Sequence, residues 1–279
     1  MPHATRQMLH ACLPALTIAM GLAGCTPAPK TQPAQLPAEE QTQTAPSHDA
    51  STQPANTERI LGLPAISDPE NILLNPGFEA GLAGWIWLDW SKGWAPFKLS
   101  TTHAYEGHQS LHLPLASRDE RSTVVWGGVQ EPILTDDIPE CIEGFYYVEN
   151  WASGDWKQYL QLVIIDRSHN LGQNQGQAQL RYIISGVTTP PLPIGNAQYL
   201  FIEDPPRNTP QIGTWTHFSA NPRADFLKHW QYIPTKDAQL RVLFEVRFDQ
   251  HHVNHPPARA DVYFDNLYMG PKTNTRCAK

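Results

Sequence analysis

Charge is scarce in this chain. Only 17% of its 279 residues are Asp, Glu, Lys or Arg, the formal net charge is −7, and the 20 basic residues are scattered. Neutralising phosphates takes clustered Lys and Arg, so the composition argues against a nucleic-acid partner, and anionic lipid headgroups are disfavoured on the same ground. Cysteine is also sparse, at four residues. A long apolar run is missing: the best stretch, residues 13–22, contains Pro14 and falls short of the roughly 20 apolar residues that a spanning helix needs. There is no G-x-S-x-G elbow, no H-E-x-x-H pair and no phosphate-cradling glycine loop, so the signatures of those hydrolases and nucleotide enzymes are lacking. Internal repeats are lacking too.

The chain does begin with a processing signal. Arg6 precedes the apolar stretch, which runs into Leu22-Ala23-Gly24-Cys25, small residues followed directly by a cysteine that an ordinary signal peptide does not need. These four residues resemble the lipobox of bacterial lipoproteins. That resemblance implies a signal peptide over residues 1–24, cleavage before Cys25 and a lipid on its thiol, so that the membrane is met through the anchor only. Thr26 follows the cysteine where an inner-membrane lipoprotein carries Asp, which implies the outer membrane. An ordinary secretory peptide ending by chance at a cysteine is the alternative.

With Cys12 lost in the signal and Cys25 lipidated, Cys141 and Cys277 are the thiols that remain. In an oxidising compartment their simplest fate is a disulfide, tying the C-terminus to the turn at Pro139-Glu140-Cys141; two unpaired cysteines remain the alternative. Residues 25–58 are rich in Pro, Gln and Thr with almost no large apolar side chain. Such a segment cannot bury enough surface to offset its ordering entropy, and it is expected to be a disordered spacer. Residues 59–279 then form one large domain.

That domain reads as all-β. Residues 238–249 place Leu240, Val242, Phe244, Val246 and Phe248 on one side and Arg241, Glu245, Arg247 and Asp249 on the other, the period-two pattern of a strand with one face in a core. Shorter strands are expected over 124–134, 144–148, 158–166, 179–185, 214–219 and 261–268, separated by Gly, Ser-Gly-Asp and Pro-Pro turns. Helical periodicity surfaces weakly at 224–230. An antiparallel β-sandwich follows.

Four segments in order carry a family resemblance. Asn71 to Trp85 (NILLNPGFEAGLAGW), Tyr105 to Leu111 (YEGHQSL), Gly128-Val129-Gln130 and Val262 to Leu267 (VYFDNL) resemble the galactose-binding-like jelly roll of carbohydrate-binding modules in the family 4, 9 and 22 group. The sequence departs from that pattern in long insertions at 184–211 and 249–260. The resemblance implies a structural calcium ion where first and last strands meet, with Glu79 and Asp265 as side-chain ligands and main-chain oxygens near Gly77 and Gly107. Calcium prefers roughly six to eight oxygen ligands and tolerates irregular loops, which suits such a site. The alternative is that Glu79 caps a turn and Asp265 satisfies backbone N–H groups without metal.

Nine Trp and nine Tyr are many for this length. Sugars present apolar C–H faces that stack on aromatic rings, and exposed rings beside hydrogen-bonding side chains are a physical recipe for glycan binding. Trp85 and Trp215 are expected in the sandwich core. Trp90, Trp94, Trp151 and Trp156 lie in polar or turn-rich surroundings and are the candidate glycan platforms, with Gln158, Arg181 and Glu245 as hydrogen-bonding partners. Asp89, Asp155 and Glu245 keep a polysaccharide lyase or glycoside hydrolase open. The histidines at 251, 252 and 255 sit in a Pro-rich loop and read as a solvated turn rather than a zinc site. The expected function is non-catalytic binding of polysaccharide or glycoconjugate from a lipid anchor; the rivals are an enzyme on the same substrates and an envelope adaptor that binds another protein.

Overall fold

In the computed structural model, described for residues 68–88, 94–117, 123–153, 157–172, 176–249 and 256–278, two β-sheets pack face to face over a shared apolar core. The leader, Cys25 and the spacer lie outside the described residues, as do Asp89, Trp90, Asp155, Trp156 and the histidine-rich run 251–255. Chain order is β1 (Trp94–Pro96), β2 (Lys98–Ser100), β3 (Ser110–Ala116), β4 (Thr123–Gln130), β5 (Cys141–Ala152), β6 (Lys157–Asn170), β7 (Gln177–Ser185), β8 (Ala197–Phe201), β9 (Thr216–Ala220), α1 (Pro222–Trp230), β10 (Leu240–Asp249) and β11 (Arg259–Gly270). The six-stranded sheet runs β1-β4-β10-β6-β7-β8 and the five-stranded sheet β2-β3-β11-β5-β9. Each expected strand is present. The pairing departs from a purely antiparallel sandwich at both margins of the larger sheet, where β1 runs parallel to β4 and β8 parallel to β7. Strand β8 lies inside the 184–211 segment read as an insertion, so part of that segment widens the sheet.

Alternation explains the core. On β10, Leu240, Val242, Phe244, Val246 and Phe248 are fully buried against the other sheet, as the sequence pattern requires. Leu160, Leu162 and Ile164 of β6 join them, as do Ala260, Val262, Phe264, Leu267 and Met269 of β11. Phe264 and Leu267 are out of phase for a regular strand. A register shift between Asp265 and Tyr268, with Asn266 at φ 48°, turns both inward. Phe244 and Phe264 meet across the sandwich with ring centroids 5.5 Å apart, and Trp85 closes on Phe244 at 5.9 Å.

Trp85 is thus a core residue, as expected, but Trp215 is not. It directly precedes β9, whose inward residue is Phe218, and alternation sends Trp215 to the outer face of the five-stranded sheet. There it lies half-buried, 5.5 Å from Tyr147 and 5.8 Å from Tyr105 by ring centroid.

Segment 71–85 is a run of turns rather than a strand, yet it is sewn to β11. The Asn71 amide donates to the Leu267 carbonyl (2.9 Å) and accepts from the N–H of Met269 (2.9 Å), while Ile72 N–H donates to the Met269 carbonyl (2.8 Å). The Cys141–Cys277 disulfide is formed, with Cα atoms 5.7 Å apart. Helix α1 is capped by Asn221, whose side-chain oxygen accepts from Ala224 N–H at 2.9 Å.

Candidate functional site

The outward residues of the six-stranded sheet form a polar array instead of an ordinary solvated surface. Register places Glu245 of β10 opposite Gln161 of β6, and Arg247 opposite Tyr159. All four carry side chains away from the core because their neighbours Phe244, Val246, Leu160 and Leu162 point inward. Gln161 donates to Glu245 Oε2 at 2.5 Å, and Arg247 Nε donates to both oxygens of Asp249 at 2.9 and 3.1 Å. The Tyr159 hydroxyl donates to Asp249. On the next strands, Arg181 of β7 donates from Nε and Nη2 to Gln179 Oε1 (3.2 and 2.8 Å) and sits 6.0 Å over the ring of Tyr199 on β8.

Burial sets the electrostatics. Tyr159, Gln161, Glu245 and Asp249 are almost inaccessible, while Arg181, Tyr199 and Arg247 keep partial exposure. Burial pushes the Tyr159 hydroxyl well above its usual pKa, opposed by Arg247 and reinforced by Asp249. It lifts Tyr199 as well, against Arg181 and Arg247. For Arg247 burial pulls downward, but Tyr159, Asp249 and Glu245 together hold it above its ordinary value. Both carboxylates are held by donors, Glu245 by Gln161 and Asp249 by Tyr159 and Arg247.

Among the described residues, Gln161 Oε1, Arg181 Nη1 and the Tyr199 hydroxyl oxygen on this face are buried without a hydrogen-bond partner. An unmet buried polar atom costs about 1–3 kcal/mol, so this layer is not fully satisfied by the residues around it.

Of the expected glycan contacts, Arg181 and Glu245 are on this face. Trp94 is at its β1 margin, half-buried beside the apolar cluster of Leu88, Val129, Val163 and Leu243. Gln158 is not there. It shares the parity of Leu160, is buried inside the sandwich and donates to the Arg259 carbonyl of β11 at 3.2 Å. Trp151 faces inward too, opposite Ala260 and packed against the main core, because a register shift near Asp261 resets the alternation of β5. Gln161, Tyr159 and Tyr199 went unnamed in the sequence, and Arg247 was named only as a polar-side residue of its strand. The pairing partner of Glu245 was the missing signal, since β6 is apolar on both faces and its parity cannot be read alone.

Glu79 and Asp265 both meet the loop at 105–109, where each accepts backbone N–H groups as the metal-free alternative expected. The N–H groups of Tyr105 (2.7 Å) and Glu106 (3.2 Å) donate to Asp265 Oδ2, and that of Asn266 to Oδ1 (2.7 Å). His108 and Gln109 N–H donate to Glu79 Oε1 at 2.7 and 2.9 Å. Gly77 lies against Asp265 and Gly107 against Glu79. Burial raises the Asp265 pKa to about 6, opposed by these backbone N–H groups and assisted by the charge of Glu79. The charge of Glu79 is felt at the buried Asp265, and Glu79 Oε2 accepts none of these bonds.

No protein-family profile and no curated protein matches the chain. Among solved structures it is similar to a family 61 carbohydrate-binding module, TmCBM61, in complex with β-1,4-galactotriose (14% identity over 72% of this chain and 99% of that one, TM-score 0.40). It is similar also to the CBM22-1 xylan-binding domain from Paenibacillus barcinonensis Xyn10C (12% identity, 71% and 93%, TM-score 0.35). A third is CBM28, a non-crystalline cellulose specific module (15% identity, 75% and 99%, TM-score 0.39). These likenesses have TM-scores of 0.40 or below, and the sandwich architecture rests on the two sheets described above.

Proposed function

We propose that this chain is a non-catalytic glycan-binding protein, held to the outer membrane by a lipid on Cys25, whose ligand lies along the outer face of the six-stranded sheet. The observation that carries this is the partial exposure of Arg181, Tyr199 and Arg247 on one face, beside the buried Gln161–Glu245 and Tyr159–Asp249 pairs. A polysaccharide or glycoconjugate offers hydroxyls, each of which both donates and accepts, to the accessible guanidinium groups, while the Tyr199 ring offers an apolar surface to the C–H face of a pyranose. Absence of hydrolysis is favoured by the bonding of the acids: Glu245 is tied to Gln161, and Asp249 to Tyr159 and Arg247. A glycosidase needs one carboxyl group free to deliver a proton.

Glu79 and Asp265, with main-chain oxygens near Gly77 and Gly107, would hold a structural calcium ion in this proposal. Its role would be to supply positive charge where two carboxylates meet the 105–109 loop, away from the outer face of the six-stranded sheet.

The test is a glycan array on the full-length chain, with and without chelator, followed by a reducing-end assay on every ligand found. Binding without new reducing ends is expected, weakened about tenfold in Arg181→Ala and in Tyr199→Ala. New reducing ends would overturn the non-catalytic claim in favour of a hydrolase or lyase, and no bound glycan would leave the adaptor. Labelled palmitate should enter the wild-type chain and not Cys25→Ser.

A further inference from the structure

The outer face of the five-stranded sheet carries a second feature that the glycan reading above does not use. Cross-strand register aligns His112 of β3 with Tyr263 of β11, and Tyr263 with Tyr147 of β5. Trp215, just before β9, continues the row beside Tyr147. His112 stacks on Tyr263 with centroids 4.4 Å apart and planes 6° from parallel. A second row lies alongside, where Phe145 of β5 pairs with His217 of β9 at 5.2 Å.

A loop lays further rings over these rows. His103 stacks on Tyr147 at 4.5 Å, and Tyr105 stacks on Phe145 at 3.6 Å with planes 11° from parallel. One face of Tyr105 is thus taken by Phe145, yet the residue keeps 43% exposure. The half-buried indole of Trp215 lies beside it at 5.8 Å. The loop is rigidly held: Tyr105 and Glu106 N–H groups bond Asp265, and those of His108 and Gln109 bond Glu79. An aromatic ring fixed in this way loses little conformational freedom when something stacks on it.

We propose that this face is a second glycan-contacting surface, with Tyr105 and Trp215 as the stacking rings. The chemistry favours sugar over protein. A protein-docking patch is a contiguous apolar area. Here each open ring ends in a hydroxyl, imidazole or indole N–H, and the exposed side chains of Glu149, Asn150 and His217 border the row. Apolar ring faces with a hydrogen-bonding rim match a pyranose, apolar on its C–H faces and polar at its edge. The two glycan faces lie on opposite sheets of one sandwich, so a single molecule bridges two polysaccharide strands, and retention on a dense matrix exceeds what either face provides.

The test labels the full-length chain with 5-fluorotryptophan and follows 19F resonances during titration with cellohexaose, xylohexaose and β-1,4-galactotetraose. The Trp215 resonance is assigned by its loss in Trp215→Phe. The Trp215 signal is expected to shift saturably with at least one sugar, to do so still in Arg181→Ala/Tyr199→Ala, where the first face is disabled, and to need about tenfold more sugar in Tyr105→Ala. A Trp215 signal that stays fixed while other resonances move overturns the second surface and leaves the first standing. A shift at Trp215 that vanishes in Arg181→Ala/Tyr199→Ala also overturns it, since Trp215 would then be reporting the other face. No change at any tryptophan with all three sugars and no heat of binding counts against both surfaces.

Discussion

The carboxylates of Glu79 and Asp265 grip opposite ends of one loop. Asp265 takes the N–H groups of Tyr105 and Glu106, and Glu79 takes those of His108 and Gln109. Between them the chain bends at Gly107, with φ +70° and no space for a side chain: a Cβ there would lie 2.5 Å from Glu79 Oε1. Gly107→Ala is expected to cost about 2–4 kcal/mol, through a left-handed backbone and a displaced carboxylate. Urea unfolding measures it, and an unchanged midpoint would show that the loop is not held this way. Glu79→Gln should cost less, because an amide oxygen still accepts both N–H groups.

Asp265 gives the domain a pH signature. Its ordinary pKa of 3.8 rises to about 6 in the fold, chiefly through burial. The unfolded chain gives up this proton near pH 3.8 and the folded chain near 6, so between those values the native state binds more protons than the unfolded one. Stability from this residue therefore falls as pH rises through that window, by about 3 kcal/mol in total, and stays low above it. Unfolding in chelator at pH 4 to 7.5 should show this slope in the wild type and a flatter one in Asp265→Asn. Under the calcium proposal, added calcium at pH 7 raises the wild-type midpoint and leaves Asp265→Asn unmoved; equal effects on both would remove the ion from this site.

The disulfide supports more than a chain end. Beside it, the buried carboxylate of Glu143 accepts from Cys277 N–H (2.7 Å) and Arg276 Nη1 (3.3 Å) and lies 3.1 Å from His217 Nε2. Freeing the tail removes two donors from a buried charge besides lengthening the unfolded chain's reach. Cys141→Ala/Cys277→Ala should lose about 3–5 kcal/mol, more than Cys277→Ala would if the thiol pair were unlinked. Calorimetry with and without reductant separates the cases: a wild-type melting temperature insensitive to reductant under denaturing pre-treatment would argue against the bond.

What the sequence revealed follows from what alternation can encode. β10 is apolar throughout one side and, Leu243 apart, polar on the other, so both its strand character and its buried face were legible, and Glu245 came with them. Asp265 and Glu79 were legible because turn residues flank each and the resemblance pairs them. β6 was legible as a strand but not as to face, since Tyr159 and Val163 are as buried as Leu160 and Leu162. A strand covered on both sides has no polar phase. Trp215 was misplaced for a related reason: its environment depends on the first residue of β9, a boundary that a five-residue strand hardly marks. The aromatic rows on the smaller sheet arise from register between strands far apart in sequence, which no local pattern contains.

Gln158 and Gln161 separate the sequence expectation from the structural one by experiment. They are three residues apart on β6 and chemically identical, but Gln158 looks into the sandwich and Gln161 away from it. Gln158→Leu removes one bond to the Arg259 carbonyl along with an oxygen that has no partner, so stability should change by less than about 1 kcal/mol. Glycan binding should be untouched. Gln161→Leu strips Glu245 of its donor in the buried layer of the sheet face that carries Arg181 and Tyr199. It should cost about 1–3 kcal/mol in stability and weaken glycan retention about tenfold. Affinity electrophoresis in polysaccharide gels, beside urea unfolding, reads both quantities. A Gln158→Leu protein that loses retention while Gln161→Leu keeps it would place the ligand somewhere other than the outer face of the six-stranded sheet, since no side chain pointing into the core can reach a polymer that the sheet itself screens.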